Sequence, residues 1–254
     1  MKLSIIMPMY NEAARGPEAI KQVLQTGFPC DIELVVVDDG SGDGTVELLG
    51  TIDDERMRLF RHERNQGKGA AVRTGVAAAT GDYLVILDAD LEYDPHDIPR
   101  LLAPVLDGKA TVVYGSRTFG SHTAYSFWYV MGNRAVTTAA NVLFNCYISD
   151  LETGYKLMPV ELFRDLRLTA NGFGMEAEVT GKLLRRGVRP FEVQISYQAR
   201  SREEGKKITW RDGVEAVWIL ARERLRRREP APIEPAPIEP ALGGPDAREQ
   251  PNER

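Results

Sequence analysis

Cysteine and histidine are scarce in this chain of 254 residues, which has only Cys30 and Cys146 and the histidines His62, His96 and His122. The two thiols lie too far apart for a metal-ligand spacing, and the histidines are scattered over expected loops. A disulfide-stapled scaffold and a Cys/His zinc centre are both excluded. So few thiols fit a reducing compartment, and a cytoplasmic protein is expected. Long apolar runs are lacking as well. No window reaches the roughly 18 apolar residues that a membrane-spanning helix needs, so the expectation is a soluble or peripheral protein. Lys2-Leu3-Ser4-Ile5-Ile6 is too short for the apolar core of a secretory signal and reads as a first strand. Positive charge is not in excess either. The net charge of −5 gives no general footing on nucleic acid.

What is present is enough apolar sequence for a core, 43 % hydrophobic against 27 % charged, arranged in a repeating order. Strands are expected at Leu3–Met9, Ile32–Val37, Met57–Phe60, Tyr83–Leu87 and Thr111–Tyr114. Helices are expected between them at Pro17–Leu24, Val46–Leu49, Gly69–Ala79 and Asp97–Val105. Apolar runs in such alternation predict an α/β fold with a mainly parallel central sheet flanked by helices. Beyond it, helices are expected at Trp128–Phe144, Val160–Leu166, Met175–Arg185 and Trp210–Arg228, and a strand at Phe191–Tyr197. From Glu229 the chain repeats Glu-Pro-Ala-Pro-Ile, and residues 229–254 read as a disordered tail, because proline at that density continues neither helix nor central strand. Basic residues gather late, at Arg185, Arg186 and Arg189 and from Arg200 to Arg228, which predicts a cationic surface.

Ligands of such sheets collect beyond the C-terminal ends of the strands. This chain puts Tyr10-Asn11-Glu12, Asp38-Asp39-Gly40-Ser41 and Asp88-Ala89-Asp90 at those places. Two carboxylates at i and i+2 on a turn can share a hard cation, Mg²⁺ or Mn²⁺, whose other positions go to water and substrate phosphate. A lone Asp-x-Asp is a weak signal, but its place at a strand end, with Asp38-Asp39 at another, strengthens it. Asp39 suits a ribose hydroxyl or a base N–H, whereas Asp43 and Thr45 read as helix-capping residues. Lys68 and Arg73 begin a helix after Gly67, a place suited to a diphosphate, with a solvated surface charge the alternative for Arg73.

Ser4–Glu12, Val37–Ser41, Asn65-Gln66-Gly67-Lys68-Gly69 and Leu87–Asp90 resemble, in order and spacing, the successive motifs of family 2 glycosyltransferases. The resemblance implies the GT-A nucleotide-sugar-binding fold over residues 1–212, followed by a basic amphipathic helix at 213–228. Asp150-Leu151-Glu152-Thr153-Gly154-Tyr155-Lys156 and 200–207 are similar to the polyprenyl-phosphate sugar transferases, including dolichol-phosphate mannose and glucose synthases. Carried over, Pro8, Tyr10, Glu12 and Asp39 hold the nucleoside, and Asp88 and Asp90 serve the donor and metal. Arg117, Lys156, Arg200, Lys206 and Lys207 surround an acceptor phosphate. Asp150 serves either as a base or to orient the acceptor or Lys156, and Asp90, Asp150, Arg117 and Lys156 form the catalytic set.

The implied reaction moves mannose or glucose from a UDP- or GDP-sugar to a polyprenyl phosphate with inversion, at the inner face of a membrane. Aromatic and basic residues of the last helices would meet anionic lipid there. A saccharide or small-molecule acceptor is the alternative, followed by a non-catalytic nucleotide-sugar scaffold. A sugar nucleotidyltransferase would carry a Gly-rich, Arg-bearing loop where Tyr10-Asn11-Glu12 stands.

Overall fold

Strand β1 (Lys2–Met9) is buried without a break from Leu3 to Met7, as is β2 (Asp31–Asp38) from Glu33 to Asp38. Such runs suit strands covered on both faces. The computed structural model describes residues 1–118, 127–172, 174–198 and 210–226. The other strands are β3 (Met57–Arg61), β4 (Tyr83–Ile86), β5 (Val113–Ser116), β6 (Lys156–Pro159) and β7 (Phe191–Gln194). All seven form one sheet in the order β3-β2-β1-β4-β6-β5-β7. Pairing is parallel from β3 through β4 and between β5 and β7, so the sheet is mainly parallel as expected.

The exception is β6. It runs antiparallel to both β4 and β5, with Leu84 opposite Met158 and Val113 opposite Leu157. The sequence reading assigns no strand there, because four residues ending in proline carry no period of their own. Strand β5 also starts two residues later than expected.

The helices are α1 (Gly16–Gln25), α2 (Thr45–Leu49), α3 (Lys68–Ala78), α4 (Ile98–Leu106), α5 (Phe127–Phe144), α6 (Val160–Asp165), α7 (Met175–Arg185) and α8 (Trp210–Leu225). Alternation along β1 divides the core into two layers. Leu3, Ile5 and Met7 pack with Ile20 and Val23 of α1 and Leu101 of α4, whereas Ile6 meets Ala71, Val72 and Val76 of α3. Gly75 lets α3 come this close, since a Cβ there would lie 2.6 Å from the Ile6 side chain. A third apolar cluster, including Val136, Ala140, Ala177, Ile219 and Leu220, joins α5, α7 and α8.

Candidate active site

The loops leaving the C-terminal ends of the parallel strands open on one cleft of about 370 Å³. Pro8, Tyr10 and Glu12 come from the end of β1, Asp39 from β2, Asp88 and Asp90 from β4 and Arg117 from β5. Because β6 runs the other way, the residues before it, Glu152 among them, reach the same edge. The starts of α3 and α7 add Lys68 and Glu176. A more open hollow of about 570 Å³ lies at the opposite end of the sheet, along Lys2, Asp31, Glu33 and Arg58, and holds none of the predicted site residues.

At the β1–β2 end the two loops are laced together. The Asn11 amide donates to Ser41 Oγ at 2.8 Å and the Gly42 amide to Asn11 Oδ1 at 3.0 Å. Asp43 accepts from the Ala13 and Thr45 amides, each at 3.1 Å, the structural part expected of it. Asp39 is buried and accepts three donors: His62 Nδ1 at 2.7 Å, the Gln66 amide at 3.0 Å and the Gly67 amide at 2.7 Å. Its carboxylate therefore shapes the loop that carries Asn65 and Gly67 to the cleft wall. Gly67 has φ +97°, and a side chain there would run into the Asn171 carbonyl.

Lys68 bridges two acids, with Nζ 2.9 Å from Asp88 Oδ2 and 2.8 Å from Glu176 Oε1. Burial alone would lower its pKa, but the two carboxylates outweigh it and hold the ammonium well above the usual lysine value. Asp90 Oδ1 accepts the Glu92 amide at 3.0 Å. Arg73 bonds the Ala170 carbonyl at 2.7 Å and Asn171 Oδ1, so it pins a neighbouring loop, a part that neither expectation gave it. Among the described residues, no three His, Cys, Asp or Glu side chains form a ready-made metal centre.

On the far wall, Arg117 Nε and Nη2 reach the two oxygens of Asp150 at 2.7 and 2.8 Å. The guanidinium also lies 5.0 Å from the Tyr197 ring centre, at cation–π distance. Asn133 Nδ2 completes the set at 3.1 Å from Asp150 Oδ1. Burial tends to raise the Asp150 carboxyl, yet Arg117 and Asn133 hold it below the usual carboxylate range. The Asp150 carboxylate is thus committed to Arg117 and Asn133.

Lys156 departs from its expected place in a phosphate cage. It is fully buried behind the cleft wall, donating to the Leu151 carbonyl at 2.9 Å and to the Thr153 carbonyl. As the first residue of β6 it shares a covered face of the sheet with Tyr114, opposite it on β5, and there it closes the 151–156 turn. Burial pulls its ammonium below the usual lysine value, although Glu176, Glu152 and Asp150 oppose this.

Arg200, Lys206 and Lys207, His122 and the 229–254 tail lie outside the described residues. Glu92, Glu152, Glu176 and Tyr197, which no motif marks as site residues, also line the cleft. Glu152 lies inside the Asp150–Lys156 motif, and Glu176 lies in the first turn of α7. Tyr197, whose hydroxyl donates to Glu92, left no signal at all. Glu152 Oε1 and Glu176 Oε2 are buried without a hydrogen-bond partner among the described residues.

A mainly parallel sheet with an acidic, cation-bridged cleft at its strand ends defines a GT-A-like α/β protein. The chain matches the model of Glycosyl transferase family 2 over residues 4–167, and it belongs to that family. Glycosyltransferase AglJ of Haloferax volcanii is 30 % identical over 200 residues, covering 77 % of this chain and 63 % of AglJ. A dolichol-phosphate mannosyltransferase of Pyrococcus furiosus is 28 % identical over 215 residues, 82 % of this chain and 61 % of that protein. This chain thus spans less than two thirds of the length of either relative. Among solved structures, glucosyl-3-phosphoglycerate synthase from Mycobacterium tuberculosis, in complex with Mn²⁺, UDP and phosphoglyceric acid, superposes with a TM-score of 0.67. The identity is 20 %, over 88 % of this chain and 78 % of that one, a likeness of fold.

Proposed function

We propose that this protein is an inverting glycosyltransferase that moves a hexose, mannose or glucose, from a UDP- or GDP-sugar to a polyprenyl phosphate. The observation that carries the reading is the position of Arg117. It stands across the cleft from Lys68, Asp88 and Asp90 and is aimed by a buried carboxylate, with Nη1 left unengaged among the described residues. A guanidinium held in one orientation suits a phosphate oxygen better than a neutral hydroxyl. The names of the Pyrococcus mannosyltransferase and of the undecaprenyl-phosphate 4-deoxy-4-formamido-L-arabinose transferase of Proteus mirabilis, 34 % identical over 112 residues, support a lipid-phosphate acceptor.

In this reading Pro8, Tyr10, Glu12 and Asp39 bind the nucleoside and Lys68 the diphosphate. Asp88 and Asp90 would hold Mg²⁺ or Mn²⁺. Two carboxylates on one turn fit a cation that keeps water and phosphate as its other ligands, and no all-protein cage is required. Such a cation neutralises the leaving diphosphate. Arg117 places the acceptor phosphate, which is already anionic near neutral pH and needs no strong base. That agrees with an Asp150 committed to Arg117. Arg200, Lys206 and Lys207 are proposed for the other side of the clamp.

An anionic membrane at its inner face is the proposed meeting place. Phe127 (65 % exposed) and Trp128 (80 %) on α5 and Trp218 (60 %) on α8 show apolar surface, with Arg222 5.0 Å from the Trp218 ring centre. No described helix is long and apolar enough to cross a membrane. The second reading, a small phosphorylated acceptor, is favoured by the phosphoglyceric acid in the Mycobacterium structure.

Product formation by mass spectrometry from UDP- and GDP-hexoses tests both. Polyprenyl phosphate should exceed its dephosphorylated alcohol by roughly a hundredfold, since a charge-assisted bond is at stake. Equal use of both would overturn the phosphate reading, and turnover with phosphoglyceric acid alone would favour the second.

A further inference from the structure

His62 is 10 % exposed and sits between two polar groups, with Nδ1 2.7 Å from Asp39 Oδ1 and Nε2 2.9 Å from Thr74 Oγ1 of α3. The roles along this chain follow from its neighbours. The Gln66 and Gly67 amides donate to Asp39, so its carboxylate is the acceptor and His62 Nδ1 carries a proton. In the neutral ring Nε2 then accepts from the Thr74 hydroxyl, which fixes the plane of the imidazole.

The two oxygens of Asp39 are not used equally. Oδ1 takes His62 and Gln66, whereas Oδ2 takes Gly67 alone. A carboxylate oxygen has room for about two donors, so Oδ1 is filled and Oδ2 keeps one position. Asp39 lines the cleft, beside Tyr10 and Asn65. We propose that His62 is a positioning residue for nucleoside recognition, holding Oδ1 of Asp39 so that Oδ2 faces a base N–H or a ribose hydroxyl of the donor. This rests on the proposed contact between Asp39 and the nucleoside. It goes further in giving the histidine a part and in naming the oxygen that is used.

Two substitutions separate the halves of the ring. In His62→Asn the amide stands near Nδ1 and can still donate to Asp39, while the Thr74 bond is lost. In His62→Gln the amide stands near Nε2 and keeps Thr74, while the Asp39 bond is lost. Calorimetric titration of the full chain with UDP and with GDP, in Mg²⁺, is compared with Asp39→Asn and with thermal unfolding of each variant. His62→Gln and Asp39→Asn should both loosen the preferred nucleotide about tenfold, the worth of one bond to a charged group, and His62→Asn should retain most of the affinity. In turnover assays the His62→Gln effect should fall on donor KM and leave kcat within about twofold.

Unchanged affinity in His62→Gln beside a loosened Asp39→Asn overturns the role of His62 and spares that of Asp39. Unchanged affinity in Asp39→Asn overturns both. Equal losses in His62→Asn and His62→Gln, tracking their unfolding temperatures, show a merely structural histidine and overturn the proposal.

Discussion

Arg117 and Asp150, 33 residues apart in sequence, form a two-pronged ion pair that is buried on both sides, at 2.7 and 2.8 Å. A buried pair of this kind contributes little net stability, but breaking it leaves a charge without its partner. Asp150→Asn should therefore lower stability by about 3 kcal/mol and release the Arg117 guanidinium from its orientation. Acceptor-dependent turnover should fall roughly a hundredfold, while slow donor hydrolysis by water survives because Asp88, Asp90 and Lys68 are untouched. Denaturant melts and paired transfer and hydrolysis assays check both halves. Equal loss of transfer and hydrolysis would point to Asp150 acting on the donor instead.

The metal is proposed to sit on Asp88 and Asp90. Asp90→Asn should reduce turnover by roughly a hundredfold or more and weaken nucleotide binding, with the circular dichroism spectrum unchanged. Excess EDTA should do the same to the wild type, and Mg²⁺ or Mn²⁺ should restore it. Full activity of either sample would sink the assignment.

Glu152 makes stability depend on pH. Burial and the nearby Glu176 raise its carboxyl to about 7, against the pull of Lys156 and Arg117. A carboxyl raised on folding binds its proton more tightly in the native state, so its stabilising contribution is complete below about pH 4.5. That contribution is lost as pH climbs through about 7. Wild type should therefore lose on the order of 1–3 kcal/mol relative to Glu152→Gln between pH 5 and pH 8. Unfolding of both proteins across that range reads the difference directly, and parallel curves would place the raised titration elsewhere.

Beside its apolar packing, helix α8 is linked to α7 by one buried acid. Glu223 is fully buried, 3.6 Å from Arg185 Nη2 of α7, 3.6 Å from Arg222 and 3.0 Å from Arg226. Glu223→Ala should destabilise the protein by about 3 kcal/mol, because the buried Arg185 guanidinium loses its counter-charge. Hydrogen exchange should show protection lost first in α8, with the β1–β4 sheet unchanged. Uniform loss across the chain would mean that α8 does not open separately.

Local sequence determined the parallel half of the fold and its chemistry. Apolar runs closed by Asp, Gly and Asn are legible as β1, β2 and β4 with their acidic turns, since a strand covered on both faces must be apolar and its loop must satisfy its own backbone. Helix α7 is equally plain, from Met175 to Arg185. Direction and depth were decided only by tertiary packing. Lys156 reads like a ligand cation, yet the antiparallel β6, too short to show in sequence, turns it into the interior and brings Glu152 forward to the cleft. Asp150 reads as base or orienting group until Arg117 arrives from β5 to engage it. The identity of a charge is written locally, but its partner and burial depend on which strands become neighbours, and those pairings join residues far apart in the chain.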